Sequence, residues 1–325
     1  MFARERLARF AVEQRNGMDM RIELRTWTAG LMAACLSLSG IGPASGGTMR
    51  WPDLLDRPRP KADMRIPYGS DPLQFVDLWL PKGKAPHPVV LMVHGGCWQS
   101  DIADASIMNY IADDLRTRGI AVWNIEYRGV DRGGGGYPGT FHDVAAAADL
   151  LGKEGPRRHL ATDRIVAFGH SAGGHLALWL AARGRIARSS ALHGAKPLPI
   201  AAAIAIGGLP DLEAAQIPPG DTCDAEPVRK LVGAATPERP DLYNDTSPAA
   251  MMPFATPQIL VNATRDRIAP PAFAESYAAK AKAQGVEVRR VTVPEEGHVE
   301  LIAPGTASWM AELAEIERAL GLSNH

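Results

Sequence analysis

The stretch "FGHSAGGHLALWLAAR", Phe168 to Arg183, constrains the fold more than any other part of the chain. An apolar run, "RIVAFGH" (Arg164 to His170), ends in Gly169-His170-Ser171-Ala172-Gly173 and passes without a break into an Ala- and Leu-rich helical pattern. A strand that turns this sharply into a helix needs residues without a Cβ at the corner. G-x-S-x-G in that setting exposes a serine hydroxyl at the helix N-terminus. A plain N-cap serine would account for Ser171, but not for the glycines two residues to either side.

The rest of the chain repeats the rhythm. "FVDLWL" (Phe75 to Leu80) alternates like a half-exposed strand, while "VVLMVH" (Val89 to His94), "IAVWNIEY" (Ile120 to Tyr127), "AAAIAIGG" (Ala201 to Gly208) and "QILVNAT" (Gln258 to Thr264) are nearly continuous apolar runs. Such runs suit parallel strands buried on both faces. Helical patterns fall at Asp104 to Arg118, Phe141 to Leu151, Ala172 to Ala182, Ala272 to Gln284 and Ser308 to Leu320. The alternation predicts an α/β fold: a doubly wound, mostly parallel sheet with helices on both faces and ligands at the carboxyl ends of the strands. Leu209 to Ala255 breaks the pattern with eight prolines and one short helical stretch near Ala225 to Val232. It reads as a small cap insertion in a single domain spanning 51–325; an ordinary surface loop of that length is uncommon.

Residues 1–50 differ in kind. Thr26 to Met49 carries no charge, Arg21 and Arg25 precede it, and small residues around Pro43-Ala44-Ser45 close it. That is the layout of a secretory signal, with Met18 or Met20 a better start than Met1 because the basic segment is normally short. The competing readings are a membrane anchor and a cytosolic extension. The apolar part fades by Ser37, short of the ~20 residues a span needs, so no stable membrane span is expected in the mature protein. Cleavage would remove Cys35 and leave Cys97 and Cys223 as a pair in an oxidising compartment.

With 35 basic and 36 acidic residues and no long block of either sign, the chain carries no electrostatic footprint for nucleic acid. The nine histidines show no metal-binding spacing, and "RGGGGYPG" (Arg132 to Gly139) lacks the ending of a phosphate loop. No metal or cofactor is therefore expected. The glycine run is expected to turn near the mouth of the site.

A serine hydroxyl needs a base, and the base an orienting acid. Around this kind of elbow the acid and then the base follow the serine along the chain. His175 and His193 lie too close behind Ser171, and His325 ends the chain. His298, in "VPEEGHVELI" after the apolar stretch "EVRRVTVP" (Glu287 to Pro294), is the expected base. Asp266, just past the strand "QILVNAT", is the expected acid, with Asp211 one strand earlier as its rival. Acyl transfer also needs donors for a developing oxyanion. "VHGGCW" (Val93 to Trp98) supplies a glycine-rich turn after an earlier strand. The N–H groups of Gly96 and Cys97, with that of Ala172, are the expected donors, and His94, Gly95, Gly169 and Gly173 are the structural residues of the two turns. Cys97 would then matter for its amide, and Cys97→Gly or Cys97→Ala should keep most activity. If the protein is exported, a Cys97 to Cys223 bridge could pin the cap to this turn.

These residues together resemble the esterase and lipase branch of the α/β-hydrolases whose oxyanion motif reads H-G-G-x-W. That branch includes kynurenine formamidase-like enzymes, hormone-sensitive-lipase-like carboxylesterases and feruloyl-esterase-like domains. The likeness runs from Arg65 to Leu320 and takes in "IEYRG" (Ile125 to Gly129), "YPGTFHDVAAA" (Tyr137 to Ala147) and "DTSPAA" (Asp245 to Ala250). It implies a cofactor-free serine esterase for small, aryl or short-acyl esters, with Ser171, Asp266 and His298 as its triad. An amide hydrolase with the same triad, and a non-catalytic binding protein on a hydrolase scaffold, stay open beside it.

Overall fold

The structure is a computed structural model that describes residues 48–217 and 223–322. The leader, with Cys35 and both alternative starts, and His325 lie outside the described residues. A short helix α1 (Trp51–Leu55) precedes two strands, β1 (Met64–Pro67) and β2 (Phe75–Trp79). Then follow β3 (His87–Val93), α2 (Asn109–Thr117), β4 (Ala121–Ile125), α3 (Gly139–Glu154), β5 (Leu160–His170) and α4 (Ala172–Ala182). After β6 (Ala202–Ile206) come the short helices α5 (Ala225–Val232) and α6 (Pro248–Met251), and then β7 (Gln258–Ala263), α7 (Pro271–Ala283), β8 (Val288–Val293) and α8 (Ala307–Leu320).

The eight strands among the described residues form one sheet in the order β1-β2-β4-β3-β5-β6-β7-β8. From β4 to β8 every pairing is parallel, and only β2 against β1 and β4 is antiparallel. The continuous apolar runs have a direct cause. Along β3, Val89, Leu91 and Val93 enter one core cluster while Val90 and Met92 enter another, so alternate side chains are buried on opposite faces. Helices supply both covers, and the parallel strands need apolar residues at every position.

Two details depart from the reading of the sequence. β1 was not legible: its four residues have the burial pattern of an edge strand with a single inward side chain, Ile66. β2 is not half exposed: Val76 and Leu78 enter one core cluster and Trp79 the other, and the buried Asp77 pairs with Arg65 of the neighbouring β1 at 2.8 Å. Among the described residues, no helix is long and apolar enough to cross a membrane.

Candidate active site

The site gathers where β3, β5, β6, β7 and β8 end. β5 delivers Ser171 at φ 56°, ψ −122°, a backbone conformation that ordinary side chains avoid. Glycine makes the corner possible. A Cβ on Gly169 would lie 2.0 Å from the Gly173 carbonyl oxygen, and one on Gly173 would lie 2.1 Å from that of Val93. Ala172 is the first residue of α4, so its N–H has no acceptor within the helix.

Asp266 follows β7 and His298 follows β8. Asp266 Oδ2 lies 2.7 Å from His298 Nδ1, while Oδ1 accepts the N–H groups of Ile268 at 2.9 Å and Ala269 at 2.8 Å. The carboxylate is thus fixed on both oxygens, and both residues are buried. Asp211 is committed elsewhere: its carboxylate pairs with Lys280 and accepts the N–H groups of Glu213 and Ala214. Ser171 and His298 line one small cavity of about 80 Å³ with Gly96, Cys97, His170 and Trp51. Ile102, Ile107 and Ile268 supply its apolar walls, and Cys223 and Asp224 enter from the insertion.

The turn after β3 holds three consecutive left-handed residues, Gly96 (φ 104°), Cys97 (φ 52°) and Trp98 (φ 56°). Only the first is a glycine, so the other two need restraint from outside. Trp98 is held by its indole N–H, which donates to His175 Nδ1 at 3.2 Å, and by its carbonyl, which accepts from Val130 at 2.7 Å. Cys97 is held by a disulfide to Cys223, with the two Cα atoms 5.2 Å apart.

His94 is buried and does not line the cavity that holds Ser171. Its Nδ1 contacts the Gly95 carbonyl at 2.7 Å and its Nε2 contacts Glu126 Oε1 at 3.0 Å, with its ring stacked on Tyr127. Glu126 also accepts the N–H groups of Tyr127 and Ala105. Both ring nitrogens of His94 thus face acceptors. Burial opposes its charge, but Glu126 and the Gly95 carbonyl outweigh burial and raise its pKa, so an imidazolium–carboxylate pair braces the turn.

Four contributors escaped the sequence reading. Glu126 sits in the quoted "IEYRG", yet nothing in spacing ties it to His94. His170 packs against His298 with ring centroids 4.3 Å apart and the rings tilted by 42°, and its Nε2 meets the His298 carbonyl at 3.1 Å. Burial and the adjacent His298 push its pKa well down, which keeps it neutral. His175 joins the turn to the insertion, meeting the Thr246 carbonyl through Nε2 at 2.8 Å. Trp51 comes from α1, far away in sequence. The glycine run, by contrast, does not line the cavity: Gly135 lies against the Gly129 carbonyl and Gly136 against that of Lys230 in α5.

Comparisons with known proteins agree with this architecture. The family model BD-FAE matches residues 76–281. Esterase LipC of Mycobacterium tuberculosis is 27% identical over 247 residues, which cover 72% of this chain and 59% of that protein. The chain therefore spans about three fifths of the length of that relative. Among solved structures, a truncated carbohydrate esterase from gut microbiota superposes with a TM-score of 0.67 at 20% identity, covering 81% of this chain and 97% of that one. A bacterial heroin esterase gives 0.59 at 24% identity, covering 77% and 80%. The fold is that of the α/β-hydrolases.

Proposed function

The chain belongs to the BD-FAE family, and on that premise we propose that it is a serine hydrolase of small carboxylic esters. One observation carries the proposal: a serine on a strained strand-to-helix corner shares a cavity with a histidine whose far nitrogen is 2.7 Å from a buried aspartate. The esterases among its relatives and structural neighbours support the same reading.

Ser171 Oγ attacks the ester carbonyl as His298 Nε2 takes its proton, and Asp266 holds the imidazole in the tautomer that leaves Nε2 free to accept. The carbonyl oxygen becomes an oxyanion facing the N–H groups of Gly96, Cys97 and Ala172. Collapse of the tetrahedral intermediate expels the alcohol, which takes the proton from His298. Water then attacks the acyl-enzyme, giving its proton to His298; collapse frees the acid and returns the proton to Ser171 Oγ. Each well-placed oxyanion donor is worth about 3 kcal/mol. The small cavity with its three isoleucines suits short acyl or aryl groups.

Ser171→Ala should lower kcat for p-nitrophenyl acetate by about five orders of magnitude or more. Retention of hydrolysis within tenfold would refute the assignment, and a matched p-nitroanilide measures ester over amide preference. Residues 1–50 are proposed as a leader region, cut on export within the small residues around Pro43-Ala44-Ser45, ahead of a single domain spanning 51–325 whose cap covers about 209–255. The disulfide supports an oxidising destination. N-terminal sequencing of protein recovered outside the cytoplasm should start after Ala44; an intact Met18 or Met20 there would contradict cleavage.

A further inference from the structure

One residue of the cavity lining beside His298 comes from the segment that precedes the residues the family model matches. Trp51 opens α1, some twenty-five positions before that matched stretch begins at residue 76. Its indole meets the rings of both His170 and His298 edge to face, at centroid distances of 6.5 and 6.4 Å and an interplanar angle of 74° for each. Trp51 also lines the cavity that holds Ser171.

The segment is fastened to the loop that carries the candidate base. The Met49 N–H donates to one carboxylate oxygen of Glu300, and the other oxygen accepts the N–H of Gly297, the residue before His298. Glu300 is buried, and a carboxylate spanning two backbone donors is held firmly. Behind Trp51, Leu54 and Leu55 are buried in the core cluster that contains Ile107 and Ile111, and Tyr110 donates to the Leu55 carbonyl. Trp51 is thus an anchored aromatic ring that both packs against the candidate base and lines the space a substrate would fill.

We propose that Trp51 is a specificity-determining residue, the wall that limits the cavity to short acyl groups, and that it also positions His298. The proposal rests on the serine-hydrolase reading above. The indole shares the lining of a cavity of only about 80 Å³ with Ile102, Ile107 and Ile268, so on this proposal a longer acyl chain needs space that the indole occupies. Removing the ring opens space lined by apolar side chains, and each methylene then buried favours the longer ester.

The test compares p-nitrophenyl acetate and hexanoate on the full chain and on Trp51→Ala, Trp51→Leu and Trp51→Phe, with rates normalised to active sites titrated by a fluorophosphonate. In Trp51→Ala the hexanoate-to-acetate ratio of kcat/KM should rise about tenfold, chiefly through KM, which corresponds to two newly accommodated methylenes. Trp51→Leu should fall between, and Trp51→Phe should return the ratio to within about threefold of the native value. A ratio unchanged within twofold in both Trp51→Ala and Trp51→Leu overturns the proposal, and the leucine variant decides alone if the alanine variant does not fold. Ser171→Ala separates the two levels. If it stays active the hydrolase reading fails, whereas if it is dead and the ratio does not move only the role of Trp51 fails.

Discussion

His175 can hold its place only when neutral. Its Nδ1 accepts the Trp98 indole N–H at 3.2 Å, so its proton sits on Nε2, which donates to the Thr246 carbonyl at 2.8 Å. Burial lowers its pKa from 6.5 to about 4, an effect that the Thr246 bond only partly offsets. The sign follows directly: with the folded pKa depressed, its contribution is complete above the unfolded pKa of 6.5 and is lost as pH falls from there toward 4. At full size that is roughly 3 kcal/mol. His170, neutral for the same reason, adds to the slope. Thermal unfolding should therefore give a Tm that falls steeply between pH 6.5 and 4. His175→Gln, which keeps one donor and one acceptor but cannot charge, should lower Tm at pH 7 yet flatten that decline. An equal slope in the two proteins would show that His175 does not set the acid limit.

The turn after β3 depends on elements remote in sequence. β4 supplies Glu126 beneath it, α4 supplies His175 beside it, and the insertion supplies Cys223. The bridge closes a loop of 126 residues, so by chain entropy it is worth up to about 5 kcal/mol. Replacing both cysteines by alanine should lower Tm by roughly 10 °C. The turn keeps its Trp98 and His94 anchors in that variant, so kcat at low temperature should stay within tenfold of native. An unchanged Tm would mean that the bridge adds nothing to the fold.

The same distances in sequence explain what could be read before the structure. The Gly169 and Gly173 signature is legible because the clash that requires it is local, as is the Ala/Leu composition of α4, buried on all sides. The order of Ser171, Asp266 and His298 follows from topology, which alternating elements reveal. Partners chosen by packing leave no local mark: Glu126 for His94, Trp51 for His298, Cys223 for Cys97. Strand placement favours Asp266 over its rival Asp211, and their partners separate them further: Asp266 lies 2.7 Å from His298 Nδ1, whereas Asp211 pairs with Lys280.

At the scale of the whole molecule, one mostly parallel sheet covered on both faces presents strand ends to the small cavity that Ser171 and His298 line. The sheet makes the corner at Ser171 rigid, and an insertion after β6 and a strap before β1 narrow what can reach it. Stability and function are partly opposed in this arrangement: Ser171, Cys97 and Trp98 all adopt left-handed backbone that the surrounding packing must hold. Covalent capture of Ser171 tests the account most directly. The protein is incubated with a fluorophosphonate and digested, and the modified peptide is mapped by mass spectrometry, in parallel with His298→Ala. The account predicts one adduct per chain, on Ser171, formed rapidly in the native protein and slower by several orders of magnitude in His298→Ala. An adduct on another residue, or equal labelling rates in the two proteins, would contradict it.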